Sequence, residues 1–181
     1  MKKQIFVALA AILLAGALQV NAQENALKIN VLSPIVRTVN LSYERKLNAN
    51  SGLQLGVYYT GASASEVTFR GFGITPEYRY YLSETEAIAG TYIGPFVRYT
   101  SLNVKEDFAD GNDAEGTYSG FGGGLVIGRQ WVFKEKVTLD VFLGPQFISG
   151  NFKAKSGSQE ANVDLFDGFG LRAGLTLGFA F

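Results

Sequence analysis

Seven charged side chains stand where acids and bases could meet: Glu44 and Lys46, Glu77 and Arg79, Arg98, Asp140 and Arg172. In an extended chain, residues two apart share a face, so Glu44 projects with Lys46 and Glu77 with Arg79. Such a set can form a structural ion network, line a gated ion path or small-molecule site, or use a carboxylate pair such as Glu44 and Glu77 for acid–base work. Cations close to both acids favour the network over catalysis, because a carboxylate held by a cation is a poor base. The chain has no His and no Cys. A Ser-His-Asp triad, a cysteine nucleophile, the usual zinc sites, disulfides and lipid attachment through cysteine are therefore excluded. The residues indicate no cofactor and no metal set, and the reading is non-enzymatic.

Whether these charges meet depends on the strands that carry them. Residues Phe169 to Phe181 alternate throughout: Phe169, Leu171, Ala173, Leu175, Leu177, Phe179 and Phe181 are apolar, and Gly170, Arg172, Gly174, Thr176, Gly178 and Ala180 are small or polar. That is a strand with one greasy and one nearly bare face. Seven further runs alternate in the same way: Leu27 to Ser33, Val39 to Leu47, Leu53 to Tyr59, Phe72 to Tyr80, Ile93 to Tyr99, Phe121 to Phe133 and Val137 to Phe147. The sixth is the least regular, with Arg129 on the greasy side, and predicts a bulge or a shift of face. Pro76, Pro95 and Pro145 fall inside runs and predict bulges too, since Pro lacks a ladder donor. Connections at 48–51, 83–88 and 134–136 are short, and those at 61–68, 105–116 and 150–165 are longer and polar.

The amino terminus carries Lys2 and Lys3, an apolar run from Ile5 to Leu18, and Val20-Asn21-Ala22 before Gln23. This predicts a cleaved Sec-type signal peptide over residues 1–22, the run being shorter than the roughly 20 residues of a spanning helix. The remaining domain, residues 23–181, carries a side-chain charge of about −2, which argues against nucleic acid as a partner. No later run approaches helical spanning length. Scattered apolar residues in alternation, with short and long connections in turn, are the pattern of an eight-stranded antiparallel up-and-down transmembrane β-barrel, whose closure satisfies every backbone group in lipid.

Several segments resemble known barrels. The final strand, with Phe179 and Phe181 on its greasy face, looks like the carboxyl-terminal strand of bacterial outer-membrane barrels. The resemblance implies an assembly signal at these two residues, with periplasmic chaperones and the barrel-assembly machinery as partners during biogenesis. Tyr43-Glu44-Arg45, Pro76 to Tyr81 and Gly94-Pro95-Phe96 resemble a family of small outer-membrane barrels of unknown function, similar in architecture to the OmpX and OmpA transmembrane types. The implied location is the outer membrane of a Gram-negative (diderm) bacterium. The resemblance implies no activity.

With the greasy residues outward, the inward set is Lys28, Asn30, Asn40, Ser42, Glu44, Lys46, Gln54, Tyr58, Glu77, Arg79, Tyr81, Arg98, Asp140, Gln146 and Arg172. Eight strands leave an interior just wide enough for side chains. Glu44, Glu77 and Asp140 are then expected to pair with Lys46, Arg79, Arg98 and Arg172, because charges taken from water are costly unless paired. Gly120, Gly122, Gly124 and Gly128, with Gly170, Gly174 and Gly178, would leave room for long side chains opposite. Tyr80, Tyr81, Trp131, Phe133, Phe179 and Phe181 are expected to form an aromatic girdle at the end that carries the short turns. The readings are a plugged barrel with a structural or cell-surface interaction role, a narrow channel or small-solute transporter, and an inside-out soluble barrel of lipocalin type. In the first, the loops Glu66 to Arg70, Lys105 to Glu115 and Phe152 to Asp164 would meet an extracellular ligand.

Overall fold

The computed structural model describes residues 24–64, 67–82, 88–106, 114–156 and 167–181. The expected signal peptide at 1–22, the turn at 83–86 and the tips of the longer connections lie outside the described residues. Eight strands follow one another: β1 (Asn25–Asn30), β2 (Thr38–Asn48), β3 (Ser51–Ala64), β4 (Val67–Tyr81), β5 (Gly90–Glu106), β6 (Ala114–Phe133), β7 (Val137–Ser156) and β8 (Gly168–Ala180). Each pairs antiparallel with its neighbours, and β8 pairs with β1 to close the ring. The Asn25 N–H donates to the Phe181 carbonyl at 3.0 Å and the Phe181 N–H to Asn25 at 2.9 Å, so both described ends of the chain lie at one rim. The turns after β2 and β6, at 49–50 and 134–136, share this rim. At Phe133–Lys136, Lys134 (φ 47°) and Glu135 (φ 61°) are both left-handed, the mirror-image turn whose twist suits a hairpin.

The faces sort as the alternation predicts. Leu53, Leu55 and Val57 on β3 are exposed on the outside, as are Val141 and Leu143 on β7, while Gln54, Glu77, Arg79 and Asp140 are buried within. Phe179 points outward and stacks on Phe181, with ring centroids 6.4 Å apart. An inside-out barrel would bury these rings and expose the charges, so the lipocalin-type arrangement is excluded.

Four local expectations are corrected. First, the prolines cause no bulge. The β4–β5 register runs from Val67↔Glu106 to Tyr81↔Tyr92 without a shift, and pairing lapses only beside Pro76 and Pro95. Beside Pro145 the β6–β7 ladder likewise passes from Gly124↔Gln146 to Ile127↔Leu143 in unchanged register. On its other side each proline strand stays paired, as at Leu55↔Pro76, Pro95↔Leu125 and Pro145↔Leu171. The missing donor opens a ladder locally, and two intact flanks hold the register. Second, β6 does not shift at Arg129, which stays outside with its guanidinium 5.5 Å from the Trp131 ring centroid; a lengthy cation beside an aromatic is tolerated on the outer face. Third, the supposed loop at 61–68 is largely sheet, with Gly61↔Arg70 through Ala64↔Val67 paired, and β5, β6 and β7 also run into the expected loops. The outward residues there are polar or small, so the apolar-outward signal stops although the ladders continue, and in β5 the apolar Leu102 and Val104 turn inward instead. Fourth, β1 stops at Asn30 rather than Ser33, and a 3-10 turn, Ser33–Val36, follows. Pro34 ends the ladder.

Candidate functional site: a buried ion centre below an outer cup

Period-two alternation turns Lys28, Glu44, Glu77, Arg79, Gln130 and Asp140 inward, and register brings them together. Gln130 on β6 sits directly opposite Asp140 on β7, Gln54 opposite both Glu44 and Glu77, and Thr176 opposite Asp140. Arg79 is the hub. Its Nε donates to Glu77 Oε1 at 2.8 Å, one terminal nitrogen donates to Glu44 Oε2 and Gln130 Oε1 at 3.2 Å each, and the other lies 2.9 Å from Asp140 Oδ2. That last contact is off the hydrogen-bond axis and acts as charge against charge. The guanidinium also lies over Tyr92, 4.2 Å from the ring centroid, and the Tyr92 hydroxyl donates to Asp140 Oδ1 at 2.9 Å. Side chains of Lys28, Glu44, Glu77, Arg79 and Asp140 are all 0% exposed.

The remaining bonds complete a closed floor. Lys28 Nζ bonds Glu44 and, at 2.7 Å, Gln130 Oε1. The Tyr81 hydroxyl donates to Glu44 Oε1 at 2.5 Å. Gln130 Nε2 donates to the Ile88 carbonyl at 2.6 Å and to Glu44 at 3.2 Å. One layer further from the turns, Arg172 bonds Glu77 and lies between the rings of Phe96 and Phe142, at 4.3 and 4.8 Å from their centroids. Charged hydrogen bonds of this kind are the strong ones. Three carboxylates face three cations here, Lys28, Arg79 and Arg172. Glu44 and Glu77 are each held by two cations, so neither is placed to act as a base.

The structure brings five of the seven charges named from the sequence together, with some partners other than those expected. Glu44, Glu77, Arg79, Asp140 and Arg172 are the five. Lys28, on the opposite ladder, is the lysine bonded to Glu44, while Lys46 lies half-buried towards the Asn48–Ser51 turn. Arg98 stands apart: its Nε donates to Thr75 at 3.1 Å and a terminal nitrogen to Gln146 at 3.2 Å. Gln130 and Tyr92 were missed. Continuing the inward parity of Gly120 to Gly128 by one step reaches Gln130, a signal that the expected irregularity at Arg129 hid. Tyr81 belongs to the centre and not to the outer girdle. The inward glycines make room chiefly for rings: a Cβ at Gly128 would lie 2.5 Å from Tyr92, and one at Gly73 would lie 2.2 Å from Tyr58.

Above Arg98 the barrel opens into a cup of about 300 Å³, walled by residues such as Tyr58, Leu102, Tyr118, Ile148 and Gly170. Phe69, Leu102, Val104 and Tyr118 form an apolar cluster along one side of it.

No curated protein matches the chain. The structure is similar to the crystal structure of the N-terminal β-barrel domain of Pseudomonas aeruginosa OprF, with a TM-score of 0.46 and 16% sequence identity over 89% of this chain and 100% of that one. A family model described as "Protein of unknown function (DUF3575)" matches residues 8–156, most of the chain, and the protein belongs to that family.

Proposed function

We propose that this protein is a non-enzymatic outer-membrane β-barrel of a diderm bacterium, exported by a cleaved signal peptide over residues 1–22, with a plugged, salt-bridged lumen and a structural or cell-surface interaction role. The observation that carries this reading is the pairing of a belt of exposed Leu, Val, Ile and Phe outside with a charge-matched, fully buried ion centre inside. In hydrocarbon a sheet must close on itself to satisfy its edge groups, and this one closes through β1 and β8. The rim with the short turns would face the periplasm, and the extended ends of β3 to β7 would stand outside. Phe179 and Phe181 would serve the assembly machinery and periplasmic chaperones, and outer-membrane lipid would surround the belt. The segments Glu66 to Arg70, Lys105 to Glu115 and Phe152 to Asp164, which include the outer ends of β4 to β7, would present the contact surface.

A narrow channel or small-solute transporter is the competing reading. Planar-bilayer conductance of the refolded 23–181 chain, beside Glu77→Ala and Arg98→Ala, separates them. Insertion without reproducible current is expected. Stable current steps that change size in the variants would replace the plugged barrel with an aqueous path through the charged lumen.

A further inference from the structure

Two features of the outer half of the barrel coincide. The first is a break in the wall. The β1–β8 ladder ends at Asn30↔Thr176, with one more bond from the Val31 N–H to the Leu175 carbonyl at 2.9 Å, and the β1–β2 ladder ends at Ile29↔Leu41. Yet β8 runs on to Gly168 and β2 to Thr38. Among the described residues, the place of a strand between them is taken by the segment 31–37 and its 3-10 turn. Apolar side chains flank this slit: Ile35 is 78% exposed on the turn, and Phe169 is 82% exposed on β8. These positions belong in the outer leaflet if the apolar belt is in lipid.

The second feature is what lies behind the slit. Thr38 and Thr60 line the cup from one side of the break, and Gly168 and Gly170 from the other. The two glycines present no side chain; a Cβ on Gly168 would meet nothing within 4 Å, and one on Gly170 would come no nearer than 3.6 Å to Gln146. At the cup's base is Arg98. Its bonds are to the neutral Thr75 and Gln146, and no carboxylate of the described residues lies within ion-pair distance of it. Glu44, Glu77 and Asp140 are already matched by Lys28, Arg79 and Arg172, and Asp167, the carboxylate among the cup's lining residues, accepts from the Tyr118 hydroxyl at 2.5 Å. A guanidinium without a counter-ion in a half-buried polar cleft favours a carboxylate or similar anion, and it is the group suited to fork such an anion. Leu102, Ile148 and the ring of Tyr58 supply an apolar strip above it, beside Thr38, Thr60 and Thr100.

We propose that the cup binds a single-chain amphiphilic acid, its carboxylate on Arg98 and its apolar chain along Tyr58, Leu102 and Ile148, and that the acid enters sideways from the lipid through the gap above β1. A cavity of about 300 Å³ lies at the small end of ligand pockets and suits one chain of medium length, not a two-tailed lipid. The inference rests on the outer-membrane reading for its lipid source. It does not need the lumen floor to be open.

The test uses the isotopically labelled 23–181 chain in lipid nanodiscs, titrated with decanoate, decanol and hexanoate while backbone and Arg98 side-chain resonances are followed. Saturable shifts with decanoate at Gly168, Gly170, Thr60 and Arg98 are expected, at least tenfold weaker with decanol and with hexanoate. Arg98→Gln should remove the preference for decanoate over decanol. Equal binding of decanol would overturn the role of Arg98, and it is read on the unaltered chain, so it does not depend on the variant folding. Hexanoate binding as tightly as decanoate would overturn the apolar wall and the lipid-side entrance. Absence of saturable shifts would overturn the site. Conductance of the same preparation keeps the two readings apart: a silent barrel that binds no acid loses only the cup, and a conducting barrel that binds decanoate loses only the closed floor.

Discussion

Replacing Arg79 with Met keeps most of the side-chain stem and removes the charge on which the lumen turns. Arg79 contacts Glu77, Glu44 and Asp140 at 2.8, 3.2 and 2.9 Å, all within fully buried surroundings. Its loss leaves these three acids facing only Lys28 and Arg172. Breaking a buried ion pair by removing one partner costs about 3–5 kcal/mol, most of it the penalty of the charge left behind. Lost stacking over Tyr92 adds about 1–2 kcal/mol. Arg98→Met provides the contrast: it breaks two charge-assisted hydrogen bonds to neutral acceptors but also removes the cost of keeping a guanidinium out of water, and it orphans no acid. The double variant Arg79→Met/Glu44→Gln restores charge balance and should be more stable than the sum of its singles predicts by at least about 1 kcal/mol. The assay is equilibrium urea unfolding from lipid vesicles, followed by fluorescence of Trp131, the one tryptophan, which sits on the outer face. A loss below about 1 kcal/mol for Arg79→Met, or strict additivity in the double variant, would mean that apolar packing and not the ion centre holds the lumen closed.

Other outcomes follow from the same geometry. Gly128→Leu should cost about 1–3 kcal/mol by driving a side chain into Tyr92, while Gly61→Ala, with open space around its Cβ, should leave unfolding unchanged; equal effects would deny the tight interior. Tyr81→Phe removes a 2.5 Å hydrogen bond to a buried carboxylate and should lower stability by about 1.5–3 kcal/mol in the same titration, and a neutral result would make that bond incidental. Deleting Phe181 should reduce the amount of folded barrel recovered in outer membranes of expressing cells, while the purified chain still refolds in detergent. Unchanged recovery would remove the terminal aromatic from the assembly signal.

Much of the architecture is legible in the chain because its cause is local. An exposed apolar face on one side of a strand and packed polar groups on the other impose a period of two, so Leu53, Leu55 and Val57 announce their face without reference to any other strand. Where the outward residues become polar or small, as at Gly61 and Ser63, that signal vanishes although the ladder continues. The prolines misled for a related reason. A missing donor is a local fact, but whether it breaks register depends on two neighbouring strands that the local sequence does not contain.

The sequence by itself determined the eight strands, their inward and outward faces and the set of charges that must share a lumen, because alternation and the cost of burying an unpaired charge act on each residue wherever its partners lie. Only the tertiary structure decided who those partners are. Gln130 meets Lys28 across 102 positions of chain, Arg172 meets Glu77 across 95, and Arg98, just as charged, is left with Thr75 and Gln146. The shortness of β1, and with it the gap beside the cup, is likewise a relation between the ends of three strands. Register and closure set such distances, and they belong to the ring as a whole.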